Sequence, residues 1–148
     1  MDSMNNLPRV ILIDLDHTFW NFNSWVDDEK DHDQLNSGLY PEALDCVHLL
    51  KTKGYMVGFA SASTKKELCE QYIDMLFPPG YLDFVHVEPT YPSKKKHFDH
   101  VSEKFNVKFE EMLLIDDLKP ILQDAAHHGV PTIDAMGGLS IDKINHLL

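Results

Sequence analysis

The sequence predicts a doubly wound (Rossmann-like) α/β fold, a mainly parallel five-stranded sheet with helices on both faces. Apolar runs of four to six residues alternate with helical patterns from end to end, the signature of successive βα units. Polar residues gather just after several of those runs, where parallel sheets bind their ligands. No internal repeat, low-complexity tract or linker interrupts the pattern, so residues 1–148 are expected to form a single domain.

The elements follow in order. Val10-Ile11-Leu12-Ile13 is an apolar strand. A polar loop spans residues 21–39 and contains the charged run Asp27-Asp28-Glu29-Lys30-Asp31-His32-Asp33. Pro41 opens a helix in which Leu44, Val47, His48, Leu50 and Lys51 recur at helical spacing, and Gly54 ends it. Residues 55–60 make the second strand. Ser63 or Thr64 suits the cap of the next helix, whose apolar face carries Leu68, Tyr72, Met75 and Leu76 and which stops at Pro78-Pro79-Gly80. Residues 83–87 form a short third strand and residues 94–105 a helix. Residues 112–115 are a fourth strand, residues 121–128 lie in a helix, and residues 129–133 lead into a fifth strand. Residues 140–148 close the chain with a short helix.

Composition narrows the function classes. A hydrophobic fraction of 43% and eight Phe supply a core and argue against disorder. Asp+Glu of 24 against Lys+Arg of 13 gives a net charge of −11, which disfavours nucleic acid and anionic membrane as partners. Cys46 and Cys69 have no close spacing and suit a reducing compartment better than a disulfide framework. No apolar run approaches a membrane span, and Met1-Asp2-Ser3-Met4-Asn5-Asn6 lacks the regions of a signal peptide. The expected location is cytoplasmic, with the nucleus also open. The nine His show no His-Glu-x-x-His pattern and are expected to pack or face solvent.

The chemistry concentrates after the strands. Asp14 and Asp16 stand one residue apart where the first strand ends, and Thr18 follows. Extended side chains alternate faces, so both carboxylates are expected on one side, close enough to repel unless a cation sits between them. That pattern suits metal-assisted phosphoryl transfer. Ser61 ends the second strand with a hydroxyl, although Ser63 and Thr64 beside it read equally well as caps. Lys94-Lys95-Lys96 stands at a helix start, and Lys94 lies nearest the preceding strand. Asp116-Asp117 ends the fourth strand, with a helix-capping role for Asp117 as the plain alternative. Trp20, Phe22 and Trp25, just beyond the first acids, either line the mouth of a site or pack beneath the loop.

The segments Asp14-Leu15-Asp16-His17-Thr18, Ser61, Lys94 and Asp116-Asp117 resemble, in order, the four motifs of the haloacid dehalogenase (HAD) superfamily of aspartate-nucleophile phosphatases. With Phe19-Trp20, Trp25-Val26-Asp27, Leu39-Tyr40-Pro41-Glu42 and Lys94 to Phe98, the chain from Leu7 to Ser140 resembles more narrowly the magnesium-dependent phosphatase-1 group, sometimes described as protein-tyrosine-phosphatase-like. The resemblance implies a HAD-like fold with a minimal cap or none, and a Mg²⁺-dependent phosphomonoesterase that forms an aspartyl-phosphate. Asp14 would be the nucleophile and Asp16 the general acid and base. Leu15, Ser61, Ala62 and Lys94 would bind the phosphoryl group, partly through backbone donors. Mg²⁺ would be held by Asp14, the backbone carbonyl of Asp16 and Asp117, with Asp116 orienting ligands behind them. The implied substrates are aryl phosphates, phosphotyrosyl proteins and sugar phosphates. Two departures stand out: the segment between Trp25 and Tyr40 is short for the group, and Ala62 replaces an arginine beside the second-motif serine. A receiver-type signalling domain uses related residues, but phosphorylates an Asp on the third strand, which here ends in Val87-Glu88-Pro89. An inactive HAD-fold binding protein is expected to have lost Asp14 or Asp16.

Overall fold

A computed structural model describes residues 7–148; the reading of residues 1–6 as lacking a secretory signal lies outside them. Strand β1 (Val10–Ile13) is apolar at every position, and all four side chains are buried, which only a strand covered on both faces permits. It forms the centre of a five-stranded sheet of order β3-β2-β1-β4-β5, with β2 (Met56–Ser61), β3 (Phe84–Val87), β4 (Met112–Asp116) and β5 (Thr132–Asp134). Every pairing is parallel; Ile13 lies opposite Phe59 on one side and Ile115 on the other. The expected doubly wound sheet is therefore present.

Alternation along β1 divides the core. Ile11 and Ile13 face one apolar cluster with Leu113 and Ile115, whereas Val10 and Leu12 face the other with Met112 and Leu114. The first cluster is covered by α2 (Ala43–Thr52), through Cys46, Val47 and Leu50, by α3 (Lys66–Leu76), through Cys69, Tyr72 and Ile73, and by α6 (Ile141–Ile144), through Ile144. The second is covered by Phe98 and Val101 of α4 (Lys95–Phe105) and by Ile121 and Ala125 of α5 (Lys119–His127). The last helix is shorter than residues 140–148 suggested: α6 ends at Ile144 and a 3-10 turn follows.

The segment read as a loop at residues 21–39 contains a helix, α1 (His32–Ser37), which starts at a capping box. The Asp31 carboxylate accepts from the Gln34 N–H at 2.9 Å, and the Gln34 side chain accepts from the Asp31 N–H at 2.9 Å. Eight of the nine residues from Asp27 to Leu35 are charged or otherwise polar, which hid an element anchored by the single buried Leu35. Aromatic packing ties the segment down: Trp20 and Phe22 stack at 5.0 Å, Tyr72 meets both edge-on, and the Tyr72 hydroxyl accepts from the Lys30 N–H at 2.7 Å. Among the described residues, no helix is long and apolar enough to cross a membrane.

Gly58 marks the tightest point of the sheet. A Cβ there would lie 2.3 Å from the Phe84 carbonyl oxygen and 2.5 Å from its ring, both fixed by the β2–β3 pairing. Gly58→Ala should therefore destabilise the fold by about 1–3 kcal/mol, seen as a lower urea midpoint at unchanged slope. An unchanged midpoint would mean that β3 moves aside freely.

Candidate active site

Strand order reverses between β1 and β4, because the chain winds outward through β2 and β3 and then crosses back. The carboxyl ends of β1 and β4 thus flank the crevice where open α/β sheets bind ligands. Asp14 follows β1, its N–H bonded to the Ile115 carbonyl at 2.9 Å, and Asp116 is the last residue of β4. Lys94, immediately before α4, reaches across from the third side. Its Nζ donates to Asp14 Oδ1 at 2.9 Å, Asp116 Oδ2 at 2.7 Å and the Ala60 carbonyl at 2.7 Å. An ammonium has three N–H donors, and all three are used. Only 2% of Lys94 is exposed. Burial opposes its charge, but Asp116 and Asp14 outweigh burial and raise the ammonium above its ordinary range. Lys95 and Lys96, by contrast, are exposed; Lys95 pairs with Asp99 and Lys96 approaches Glu88.

Three carboxylates, of Asp14, Asp116 and Asp117, bring oxygens within 4.8 Å of one another. Burial raises the Asp14 carboxyl well above its usual value; Lys94 works against this, and Asp116 and Asp117 add to it. Burial raises Asp117 too, opposed by hydrogen bonding to Asp14 and Thr18. The buried Thr18 hydroxyl lies 3.2 Å from both Asp14 Oδ2 and Asp117 Oδ1, and its one proton serves only one of them at a time. One lysine against three acids, with an oxygen left short of a donor, is a donor set suited to a hard divalent cation such as Mg²⁺. The Asp16 carbonyl accepts no hydrogen bond among the described residues. Asp116 is differently placed, since its Oδ1 accepts from the Leu118 N–H at 3.1 Å while Oδ2 holds Lys94.

Asp16 departs from the expected geometry. Strand β1 ends at Ile13, and the chain turns through residues 15–20, with Leu15 accepting from the N–H groups of Thr18, Phe19 and Trp20 and His17 at φ 60°. Strand alternation therefore no longer governs Asp16, which is absent from the carboxylate cluster although it borders the same cavity. Its Oδ1 accepts from Trp20 Nε1 at 2.7 Å and the Ser24 N–H at 3.1 Å, and its Oδ2 from the Ser24 hydroxyl at 3.1 Å. Ser24, buried, lies 2.8 Å from the Ser63 hydroxyl and takes a contact from the Cys69 thiol at 3.4 Å. Sequence reasoning missed Ser24 and Ser63 as members of this network; no local pattern marks a serine whose partner lies 39 residues away.

A cavity of about 460 Å³ opens onto Asp14, Asp16, Lys94, Asp116 and Asp117, and Ala62, Ser63 and Thr64 also line it. Leu15 and Ser61 lie beneath rather than in its wall. Leu15 is fully buried, and the Ser61 hydroxyl accepts from the Ser63 N–H at 3.1 Å. Of the three aromatic residues beyond Asp16, Trp20 and Phe22 are core, and only Trp25 lines the mouth. His97 packs behind Lys94: burial, Lys94 and His86 push it down to about 2, so it is neutral, with its ring nitrogens 2.6 Å from His86 and 3.0 Å from Thr90.

This sheet order, with acids after β1 and β4 and a buried lysine between them, defines a phosphatase of the HAD-like class. The chain belongs within it to the Acid Phosphatase family, whose model matches residues 6–148. It is 28% identical over 155 residues to human magnesium-dependent phosphatase 1, covering 96% of this chain and 86% of that protein. Among solved structures it resembles an N-terminal part of a Bacteroides fragilis protein containing a phosphatase domain complexed with Mg, at TM-score 0.70 and 17% identity, over 97% of this chain but 41% of that one. A haloacid dehalogenase-like hydrolase from Streptococcus pneumoniae aligns at TM-score 0.65 and 13% identity, over 94% of this chain and 90% of that one. These two show the shared fold.

Removing the bridging ammonium would leave two buried carboxylates facing each other. Lys94→Met should cost about 3–5 kcal/mol of stability, whereas Lys95→Ala and Lys96→Ala should each stay within about 0.5 kcal/mol. Urea titration of the three variants checks this, and equal small effects would remove Lys94 from its special place.

Proposed function

We propose that this protein is a Mg²⁺-dependent phosphomonoester hydrolase, a single catalytic domain working through an aspartyl-phosphate at Asp14. The observation that carries the reading is Lys94 bonded at once to Asp14 and Asp116 while Asp14 and Asp117 share Thr18 at the cavity floor. Phosphate esters resist anionic nucleophiles, so catalysis depends on positioning and on positive charge. Asp14 Oδ attacks phosphorus as the ester P–O bond breaks, and Asp16 delivers a proton to the departing oxygen. Asp16 then takes a proton from the water that attacks the phosphorus of the aspartyl-phosphate, releasing phosphate and restoring Asp14. Lys94 neutralises the nucleophile and the phosphoryl oxygens throughout, with Asp116 fixing the lysine. Trp20 and Ser24 hold Asp16 at the cavity wall.

Asp14, Asp117 and the Asp16 carbonyl would hold Mg²⁺, which when bound supplies the positive charge that three clustered acids lack. Backbone donors at Leu15 and Ala62, together with the Ser61 hydroxyl, whose own proton is not used by the bond it accepts from the Ser63 N–H, are the candidates to grip the phosphoryl group. The relatedness to a magnesium-dependent phosphatase supports the same metal requirement. Because residues 21–39 contain only the short helix α1 and no cap domain stands over the site among the described residues, exposed monoesters are suitable substrates: aryl phosphates, phosphotyrosyl proteins and sugar phosphates. Protein-tyrosine-phosphatase-like activity falls within that range. The net charge of −11 disfavours nucleic-acid partners, and the two buried free thiols suit a cytoplasmic or nuclear setting.

Hydrolysis of p-nitrophenyl phosphate tests the reading. Asp14→Asn should abolish turnover while keeping the fold, and Asp16→Asn should lower kcat by about 10²–10⁴, least for esters with good leaving groups. Chelation should stop the wild type, Mg²⁺ should restore it and Ca²⁺ should inhibit through its looser coordination. Full activity in excess chelator would remove the metal from the reaction.

A further inference from the structure

The two oxygens of Asp16, the residue given both proton transfers above, are not equivalent. Oδ1 accepts two N–H groups, from Trp20 Nε1 at 2.7 Å and Ser24 at 3.1 Å, which uses both of its lone-pair directions. Oδ2 accepts only the Ser24 hydroxyl, at 3.1 Å, and keeps one direction free. Asp16 is partly buried and borders the cavity. A proton bound for an ester oxygen therefore has to be carried on Oδ2.

The Ser24 hydroxyl has no rotational choice in this arrangement. A carboxylate carries no proton, so the bond to Oδ2 uses the single proton of Ser24. The 2.8 Å contact between the Ser24 and Ser63 hydroxyls must then be donated by Ser63, whose own oxygen accepts from the Lys65 N–H at 3.1 Å. The Cys69 thiol also donates to the Ser24 oxygen, at 3.4 Å. Burial raises that thiol, with hydrogen bonds to Ser24 and Ser63 working against it, so it stays a donor. The hydroxyl protons thus point one way, from Ser63 to Ser24 to Asp16. Ser24, Ser63 and Cys69 are all buried, where a polar atom without a partner costs free energy, and no buried side-chain oxygen or nitrogen among the described residues lacks one.

The backbone beneath Ser24 is fixed as well. In the turn at residues 23–27 the Asp27 N–H donates to the Asn23 carbonyl at 2.9 Å, Asp27 Oδ2 accepts from the Asn23 N–H at 2.8 Å, and Asn23 Oδ1 accepts from the Trp25 N–H at 3.0 Å. Ser24 therefore presents its N–H and its hydroxyl together to the two oxygens of one carboxylate.

We propose that Ser24, backed by Ser63, is a positioning residue for proton transfer, aiming Asp16 Oδ2 at the departing ester oxygen. The inference rests on the phosphomonoesterase reading above and adds which oxygen moves the proton and which residues aim it. The proton on Oδ2 passes to the ester oxygen as the P–O bond to the alcohol breaks and the bond from Asp14 to phosphorus forms. Oδ2 then takes a proton from the water whose oxygen bonds to phosphorus as the aspartyl-phosphate breaks.

The test varies how much the leaving oxygen needs a proton. In Mg²⁺, kcat/KM is measured for p-nitrophenyl, phenyl and p-methoxyphenyl phosphates, whose leaving oxygens rise in basicity in that order. General-acid help, worth about 10²–10⁴ in rate, matters most for the basic ones. Ser24→Ala should lower kcat/KM about tenfold more on the p-methoxyphenyl ester than on the p-nitrophenyl ester, and Ser63→Ala about threefold more. Ser24→Thr, which keeps the hydroxyl, should hold the wild-type ratio to within about twofold. A purely structural role would lower all three esters by one common factor. That result in Ser24→Ala, or in Ser63→Ala where the first variant does not fold, would overturn the proposal and leave the hydrolase reading intact. A wild type that turns over none of the three esters would overturn both.

Discussion

The buried ammonium of Lys94 is the constraint on which the rest of the site depends. A charge this secluded is tolerable only if every donor is satisfied and opposite charge lies beside it, and Lys94 meets both conditions through Asp14, Asp116 and the Ala60 carbonyl. Those three acceptors belong to the ends of β1, β4 and β2, so one side chain fixes the relative positions of three strand ends. Its own backbone stands at the head of α4, which returns the chain from β3 across the sheet. The arrangement that neutralises the lysine also aims one oxygen of Asp14, leaving the other towards Thr18 and Asp117.

Around that bond the acids fall into two groups with different surroundings. Asp14, Asp116 and Asp117 crowd one another under burial and need positive charge beyond what one lysine supplies. Asp16 stands apart, held at both oxygens by Trp20 and Ser24 at the end of a tight turn. Separation by environment is how two neighbouring carboxylates acquire different chemical tasks, and it supports assigning attack to one and proton transfer to the other. The serine network that holds Asp16 continues through Ser63 to the end of β2, so the first and second motif segments are mechanically joined.

Much of this was legible in the residues. The five strands and their parallel order follow from apolar runs alternating with helical patterns, and Lys94 was separable from Lys95 and Lys96 by nearness to the strand end. What was not legible has physical reasons. Helix α1 depends on a capping box and one buried leucine within a charged run, which leaves almost no hydrophobic periodicity to read. Asp16 was misaimed because the rule of alternating faces applies only while the strand lasts, and β1 stops before it. The bond that the Ser61 hydroxyl accepts from the Ser63 N–H was equally invisible, because it depends on the turn the chain takes after β2. Tyr91 and Leu118 carried no local signal, since they come to one cavity only when the loops after β3 and β4 meet there.

The central claim is that Asp14, held by Lys94, becomes covalently phosphorylated during turnover. Acid-quenching the enzyme while it hydrolyses a phosphomonoester in Mg²⁺, then mapping its peptides by mass spectrometry, tests this most directly. The expected result is a phosphoryl group on the peptide that contains Asp14, formed only during turnover. Product formation with no phosphorylated peptide, or with the phosphoryl group on another residue, would contradict it.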